Sequence, residues 1–238
     1  MKKIELLREL RKYVVFGNKD VRGLIGKSSA YTKQVVYRLK QGGLIKEIER
    51  DKYTVHEDPL LVASSLTWPS YISCWAALRY HNLTEQLPTV IHVVTTRSRK
   101  RREVEFGQAR IVFIRTRPSY FFGFEKIQLN GLDVLMAEPE KALIDCVFFR
   151  QVSFSEIAEI TKGSIDSIDG EKMVDYLLKI GNGALAKRFG YLLERLGSRA
   201  SKKLKKLVGW SYTRLDNTKP ARGKKSERWM VIDNVGAR

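Results

Sequence analysis

The sequence predicts an α+β protein in which an N-terminal winged helix-turn-helix precedes a larger mixed α/β C-terminal domain. Three observations carry this expectation. The 238 residues are 43% hydrophobic and 29% charged, which is enough apolar side chain for a packed core. Three short helical periodicities are followed by two strand-like runs within the first 57 residues, and strand and helix patterns mix beyond them. The formal net charge of +18 is also sorted along the chain, as +8 over residues 1–56, −1 over 57–186 and +11 over 187–238. An evenly basic coat would not sort itself this way, so the distribution points to one or two surfaces for a polyanion, with nucleic acid the leading partner.

Lys2 to Lys12 reads as a helix on the spacing of Ile4, Leu7 and Leu10 or Arg11, closed by Phe16-Gly17-Asn18. Asn18 caps a second short helix, Lys19 to Ile25, that buries Val21, Leu24 and Ile25. After Gly26-Lys27, Ser28 caps a third helix running to about Gln41 and ended by Gly42-Gly43, with Thr32, Val35, Val36 and Leu39 inward. Leu44 to Ile48 and Lys52 to Val55 read as the strands of a hairpin joined across Glu49-Arg50-Asp51. In the winged helix-turn-helix the third helix enters the major groove and the hairpin lies along the backbone. The inner stripe leaves Ala30, Lys33, Gln34, Tyr37 and Arg38 outward, with Ser28 and Ser29 at the helix start where phosphates are first met. Gln34 suits an adenine edge and Arg38 a guanine edge. Lys33, Lys40, Arg50 and Lys52 suit phosphates, which position without specifying. The competing reading is a protein-protein module with a solvated helix face. Gly23 to Ser28 ends in the Gly-Lys-Ser of a phosphate loop, but two residues separate the glycines where four are needed.

Beyond Asp58-Pro59 the pattern predicts a short helix, Leu60 to Leu66, and then a helix capped by Ser70 and running through Tyr80. Strands follow near Val90 to Thr96, Arg110 to Arg115, Phe124 to Leu129 and Asp133 to Met136. Helices follow from Pro139 to Arg150, Ser153 to Lys162, Glu171 to Ile180 and Leu185 to Leu196. Between the first two strands, Arg97, Arg99, Lys100, Arg101 and Arg102 put five cations into six residues. If the strands pair, this is a loop tip suited to phosphates or an acidic protein surface, or else a solvated turn. The aromatic run Tyr120 to Phe124 reads as core packing before a base-stacking platform. In the tail, Lys187-Arg188, Arg195, Arg199, Lys202, Lys203, Lys205 and Lys206 line an expected amphipathic helix pair, with Phe189, Leu192, Leu193, Leu196, Leu204 and Leu207 on its apolar side, and its cationic face suits nucleic acid or an acidic partner before a membrane surface.

With these elements in place, a family resemblance can be read. Tyr71 to Pro88 followed by Val90 to Thr96 resembles the AbiEi-type antitoxins of type IV toxin-antitoxin and phage-defence systems. Ile111 to Ile114, the run Ala137-Glu138-Pro139-Glu140-Lys141-Ala142-Leu143-Ile144-Asp145, and Tyr212 to Asp216 with Arg228 to Asn234 agree in order, so the likeness spans nearly the whole chain. The resemblance implies a DNA-binding domain over residues 1–57 and a C-terminal antitoxin domain over 58–238, with the basic tail 187–238 as its departure. It further implies an autorepressor bound to double-stranded operator DNA with inverted repeats. Its functional partner would be a cognate nucleotidyltransferase-like toxin, direct contact between the two staying open.

Other classes are disfavoured. Cys74 and Cys146, and His56, His81 and His92, stand far apart and out of ligand spacing, so neither a metal site nor a disulfide scaffold is expected, and no cofactor. Gly163 to Asp169 holds the residue types of a nucleotidyltransferase metal site at the wrong spacing, and a helix cap at Asp169 or Ser167 explains it better. Asp145, inside an apolar helix, reads as a structural carboxylate. No apolar run reaches the roughly 18 to 20 residues of a membrane span, and the basic N-terminus lacks a leader pattern, so a cytoplasmic, non-enzymatic protein is expected. The alternative function is an RNA-binding protein or a subunit of a defence nuclease complex.

Overall fold

Leu6 and Leu10, one helical turn apart, anchor the first element. In the computed structural model, which describes residues 2–235, they are buried on helix α1 (Lys3–Leu10). Ile4, expected inward, is instead 81% exposed. The spacing of Leu6 with Leu10 outcompetes that of Ile4 with Leu7, because only one stripe of so short a helix can face a core. Helix α2 (Asn18–Ile25) begins one residue earlier than an Asn18 cap predicts. Gly17 caps it, and its N–H donates to the Asp20 carboxylate at 2.8 Å. Asn18 is thereby freed to donate from its backbone N–H (2.8 Å) and its side-chain amide (2.5 Å) to Asp51.

Helix α3 (Ser29–Gln41) starts where expected. Strands β1 (Lys46–Glu49) and β2 (Lys52–Thr54) pair antiparallel, from Lys46 opposite Thr54 to Glu49 opposite Lys52. Phe16 exchanges backbone hydrogen bonds of 2.9 and 2.8 Å with Tyr53 and so joins the helices to the hairpin. Leu6, Leu10, Phe16, Val21, Val36, Leu39, Ile45 and Tyr53 form one core.

Helix α4 (Pro59–Ser65) carries Pro59 in its first turn, where a missing N–H costs nothing, and the Asp58 carboxylate accepts the Leu60 N–H at 2.9 Å. The expected helix from Ser70 to Tyr80 is corrected. Ser70–Ser73 is strand β3, Cys74 turns the chain at φ 54°, and only Trp75–Tyr80 (α5) is helical. Every residue of β3 is buried. Such a strand loses the alternation that marks one, and a short apolar run then reads equally as helix.

Strands β4 (Val90–Thr95), β5 (Glu103–Phe106), β6 (Ala109–Arg115), β7 (Phe124–Leu129) and β8 (Leu132–Ala137) complete a six-stranded sheet of order β5-β6-β4-β3-β8-β7. Strand β5 is not among those expected from sequence. It hairpins onto β6 across Gly107-Gln108, with Gly107 at φ 61°, while β4 and β6 pair parallel. Segment 97–102 therefore runs from the end of β4 to the sheet edge. The alternation of Val104 and Phe106 inward with Glu103 and Glu105 outward is the legible sign of this strand.

Contacts divide the chain into two units. The first holds residues up to 72, 89–115 and 126–135, and the second 73–88, 116–125 and 136 onward. In the second, helix α6 (Pro139–Phe148) is buried from Glu140 to Val147 and is packed against by α5, α7 (Phe154–Gly163), α8 (Gly170–Ile180) and α9 (Gly183–Arg195). Ser153 caps α7 and Asp169 caps α8, the latter accepting from the N–H groups of Glu171 (2.9 Å) and Lys172 (3.1 Å). Gly197 at φ 82° ends the helical path after α9, so the expected second tail helix is a 3₁₀ segment, Arg199–Leu207. Last come β9 (Thr213–Arg214), β10 (Lys224–Ser226) and β11 (Val231–Asp233), a small sheet with β11 central.

Candidate nucleic-acid interface

The start of α3 is set by Ser28, whose Oγ accepts the Tyr31 N–H at 3.3 Å while its carbonyl accepts the Thr32 hydroxyl at 2.9 Å. Thr32, Val36 and Leu39 are buried below. Ser28, Ser29, Ala30, Lys33, Gln34, Tyr37 and Arg38 are all exposed, Tyr37 by 62%. The helix thus presents two cations, an amide and a phenol on one solvent-facing strip, and neither Lys33 nor Arg38 has an ion-pair partner among the described residues. Gly26 at φ 61° ends α2 and Ser28 caps α3, so the Gly-Lys-Ser run is a turn between helices.

The remaining expected phosphate contacts differ from one another. Lys40 reaches back to Glu47 on β1, and this bond raises its pKa above the ordinary lysine value. Lys52 is half-buried, its amine donating to Glu49 (3.0 Å) and to the Leu66 carbonyl (2.8 Å). Arg50, at the hairpin tip, is exposed and free of ion pairs among the described residues. In the basic run, Arg97, Lys100, Arg101 and Arg102 are exposed, whereas Arg99 turns inward to Glu49 (2.5 Å). Sequence reasoning passed over Lys3, Lys27 and Tyr31, which line a cavity of about 310 Å³ beside Arg38, floored by Leu6, Ile25, Val35 and Leu39. Tyr31 is 47% exposed one turn before Val35, and an aromatic so placed at a helix start was the available signal.

The tail holds fewer free cations than its composition implies. Lys187 and Arg188, expected on the cationic face, are buried. Lys187 donates to the Ser211 carbonyl, and Arg188 to the Arg214 carbonyl (2.9 Å) and the Asn217 side chain (2.7 Å). Both thus tie α9 to the chain before and after β9. Lys203 pairs with Glu171 at 2.7 Å. Lys205 donates to the Arg228 carbonyl and lies 3.8 Å from the centre of the Trp229 ring, and burial there lowers its pKa. Lys202 and Lys206 are exposed and have no such partners among the described residues.

Of the stretches that carried the family resemblance, Val90 to Thr96 and Ile111 to Ile114 fall in the first unit, whereas 73–88, 137–145, 212–216 and 228–234 fall in the second, where several of their residues form polar networks. Asp145, wholly buried, is ion-paired with Lys141 and accepts the Ser73 hydroxyl at 2.8 Å. Glu138 accepts from Tyr176 and pairs with Lys172 at 3.0 Å. Burial and that carboxylate together raise the Tyr176 pKa. Phe122 meets Tyr176 edge-on, and Phe121 meets Phe124, so the aromatic run is packed against its own unit. The pieces around 212–216 and 228–234 meet as β9 beside β11, where the Asn234 side chain bonds the Asp216 N–H (2.9 Å) and carbonyl (2.8 Å). Among the described residues no helix is long and apolar enough to cross a membrane. No protein-family model matches the chain, and comparison with curated proteins finds no match.

Proposed function

We propose that the chain is a DNA-binding transcriptional autorepressor whose first three helices and hairpin act as a winged helix-turn-helix. The observation that carries this reading is the exposed strip of α3, with Lys33, Gln34, Tyr37 and Arg38 on a helix whose opposite face is buried and whose start is capped. Buried Thr32, Val36 and Leu39 fix the helix rotation, so these side chains are presented together, as base readout requires. The antitoxin role, against a nucleotidyltransferase-like toxin, rests on the resemblance alone and is proposed with it. The bound form would be an inverted-repeat operator upstream of the protein's own gene, in the cytoplasm.

Footprinting on that upstream DNA tests the reading, with a symmetric protected region as the expected result. Replacing Gln34 or Arg38 by alanine should cost roughly 1 to 3 kcal/mol at one base pair and relax preference there. Lys33→Ala should weaken all sequences evenly. Equal losses on specific and random duplex for every variant, or stronger binding to structured RNA than to duplex DNA, would overturn it. Co-expression with the product of the adjacent downstream gene tests the antitoxin role, with restored growth as the expected outcome.

A further inference from the structure

The run Arg97 to Arg102 divides its cations between two tasks. Arg99 is only 10% exposed at its side chain. Its guanidinium pairs with Glu49 at 2.5 Å, donates to the Leu66 carbonyl (2.9 Å) and the Thr67 hydroxyl (2.8 Å), and lies 3.9 Å from the centre of the Phe113 ring. Glu49 is the last residue of β1, directly before the hairpin tip, and Lys52 holds its other oxygen at 3.0 Å. Burial pushes the Glu49 carboxyl up, but the bonds from Lys52 and Arg99 outweigh it and hold the pKa below the ordinary range, so the anion is neutralised from two sides. On its other side the tip is held by the bonds from Asn18 to Asp51. Between these two anchors Arg50 projects into solvent.

The consequence is a composite cleft. Arg50 from the hairpin tip and Ser98, Lys100 and Arg101 from the loop after β4 line one open depression of about 480 Å³, with Thr67 beside them and Glu49 and Arg99 at its base. Three cations from two distant stretches of sequence, all without an ion pair among the described residues, therefore line one space. Its lining, among the described residues, has no aromatic side chain. Single-strand binders depend on aromatic platforms for the bases, so the cleft suits a backbone and not splayed bases. Three cations on the lining of one open depression suit a run of phosphates.

We infer that Arg99 locks the hairpin tip and the 97–102 loop into a single phosphate-binding cleft, Arg50 with Lys100 and Arg101, that takes the sugar-phosphate backbone of duplex DNA beside the base pairs met by α3. This rests on the DNA-binding reading above and adds to it a second chain segment and a positioning residue. Arg99 touches no phosphate; it acts through the side chains that it aligns.

The test is the salt dependence of binding by the full-length protein to a duplex from its own upstream region, with random duplex and single-stranded RNA alongside. Lys100→Ala with Arg101→Ala, both exposed, is expected to flatten the slope of log affinity against log salt by the share of two phosphates, roughly 1.8, with sequence preference unchanged. Glu49→Gln separates positioning from charge, because removing an anion beside the cleft strengthens phosphate binding if charge alone matters and weakens it if the lock matters. Weaker binding is expected, and in that background the Lys100 and Arg101 replacements should have less effect than in the wild type. A full slope in the Lys100/Arg101 variant, while Gln34→Ala still relaxes preference, overturns the cleft and leaves the DNA reading standing. Tighter binding by Glu49→Gln, with an unchanged melting temperature, overturns the positioning role. Wild-type protein that does not prefer duplex to single-stranded RNA removes the DNA reading and the cleft with it.

Discussion

Gly190 has no room for a methyl group. A Cβ built there would stand 2.1 Å from the Trp229 ring, which is itself wholly buried and donates its indole N–H to Glu194 at 2.6 Å. Although alanine is the better helix former, Gly190→Ala should destabilise by about 3 kcal/mol, because the ring has nowhere to move. A lowered urea midpoint with far-UV ellipticity retained checks this. Asp216 supplies a second test at the same scale. Burial pushes its carboxyl up, but hydrogen bonds from the hydroxyls and backbone N–H groups of Ser155 and Thr218 win and hold its pKa at about 2. A carboxyl held below its unfolded value of about 3.9 contributes stability that is complete above that pH and is lost as pH falls toward the folded value. The stability gap between wild type and Asp216→Asn should therefore be constant above about pH 4 and close between there and about pH 2, read from melting temperature against pH. A gap that instead widens on acidification contradicts the assignment.

At the scale of single elements, α3 depends on its cap. Ser28→Ala removes the acceptor for the Tyr31 N–H and should cost about 1 kcal/mol, Ser28→Gly only a few tenths, in chemical unfolding. This helix is legible from sequence because every local signal agrees. Serine stands before it, Gly42-Gly43 after it, and an inner stripe runs between. Helices α6 to α9 are legible from their apolar spacing, and of the two caps expected before α8 it is Asp169 that serves. Strand β3 is not, because burial on both faces erases its period, and the parallel pairing of β4 with β6 is a long-range choice that no local pattern encodes. The candidate interface divides in the same way. The exposed strip of α3 follows from helix geometry alone, whereas which basic residues are free depends on distant partners. Lys52 and Arg99 both converge on Glu49, a relation across about fifty residues of sequence that spacing cannot reveal.

Across the whole molecule the sorted charge takes a different meaning once partners are known. The +11 of residues 187–238 suggests a second polyanion surface, yet much of it is engaged inside its own unit. Lys187 and Arg188 are buried, Arg195 pairs with Asp233 at 3.0 Å, Arg228 with Glu194 at 2.7 Å, Lys203 with Glu171, and Lys205 covers Trp229. In the first unit, by contrast, Lys33, Arg38, Arg50, Arg97, Lys100, Arg101 and Arg102 are exposed, and all are free of ion pairs among the described residues. Phosphate contacts are therefore expected to come from the first unit, and the tail is left for the neutralising role that the resemblance implies. Reversing all of Lys202, Lys203, Lys205 and Lys206 would confuse surface charge with packing, since Lys203 and Lys205 hold internal partners. Lys202→Glu with Lys206→Glu avoids this. That variant should melt with the wild type and keep the full salt slope of DNA binding, yet fail to restore growth when co-expressed with the downstream gene product. A slope flattened by the share of two phosphates would instead assign the tail to DNA, because each phosphate that a cation neutralises adds about 0.9 to that slope.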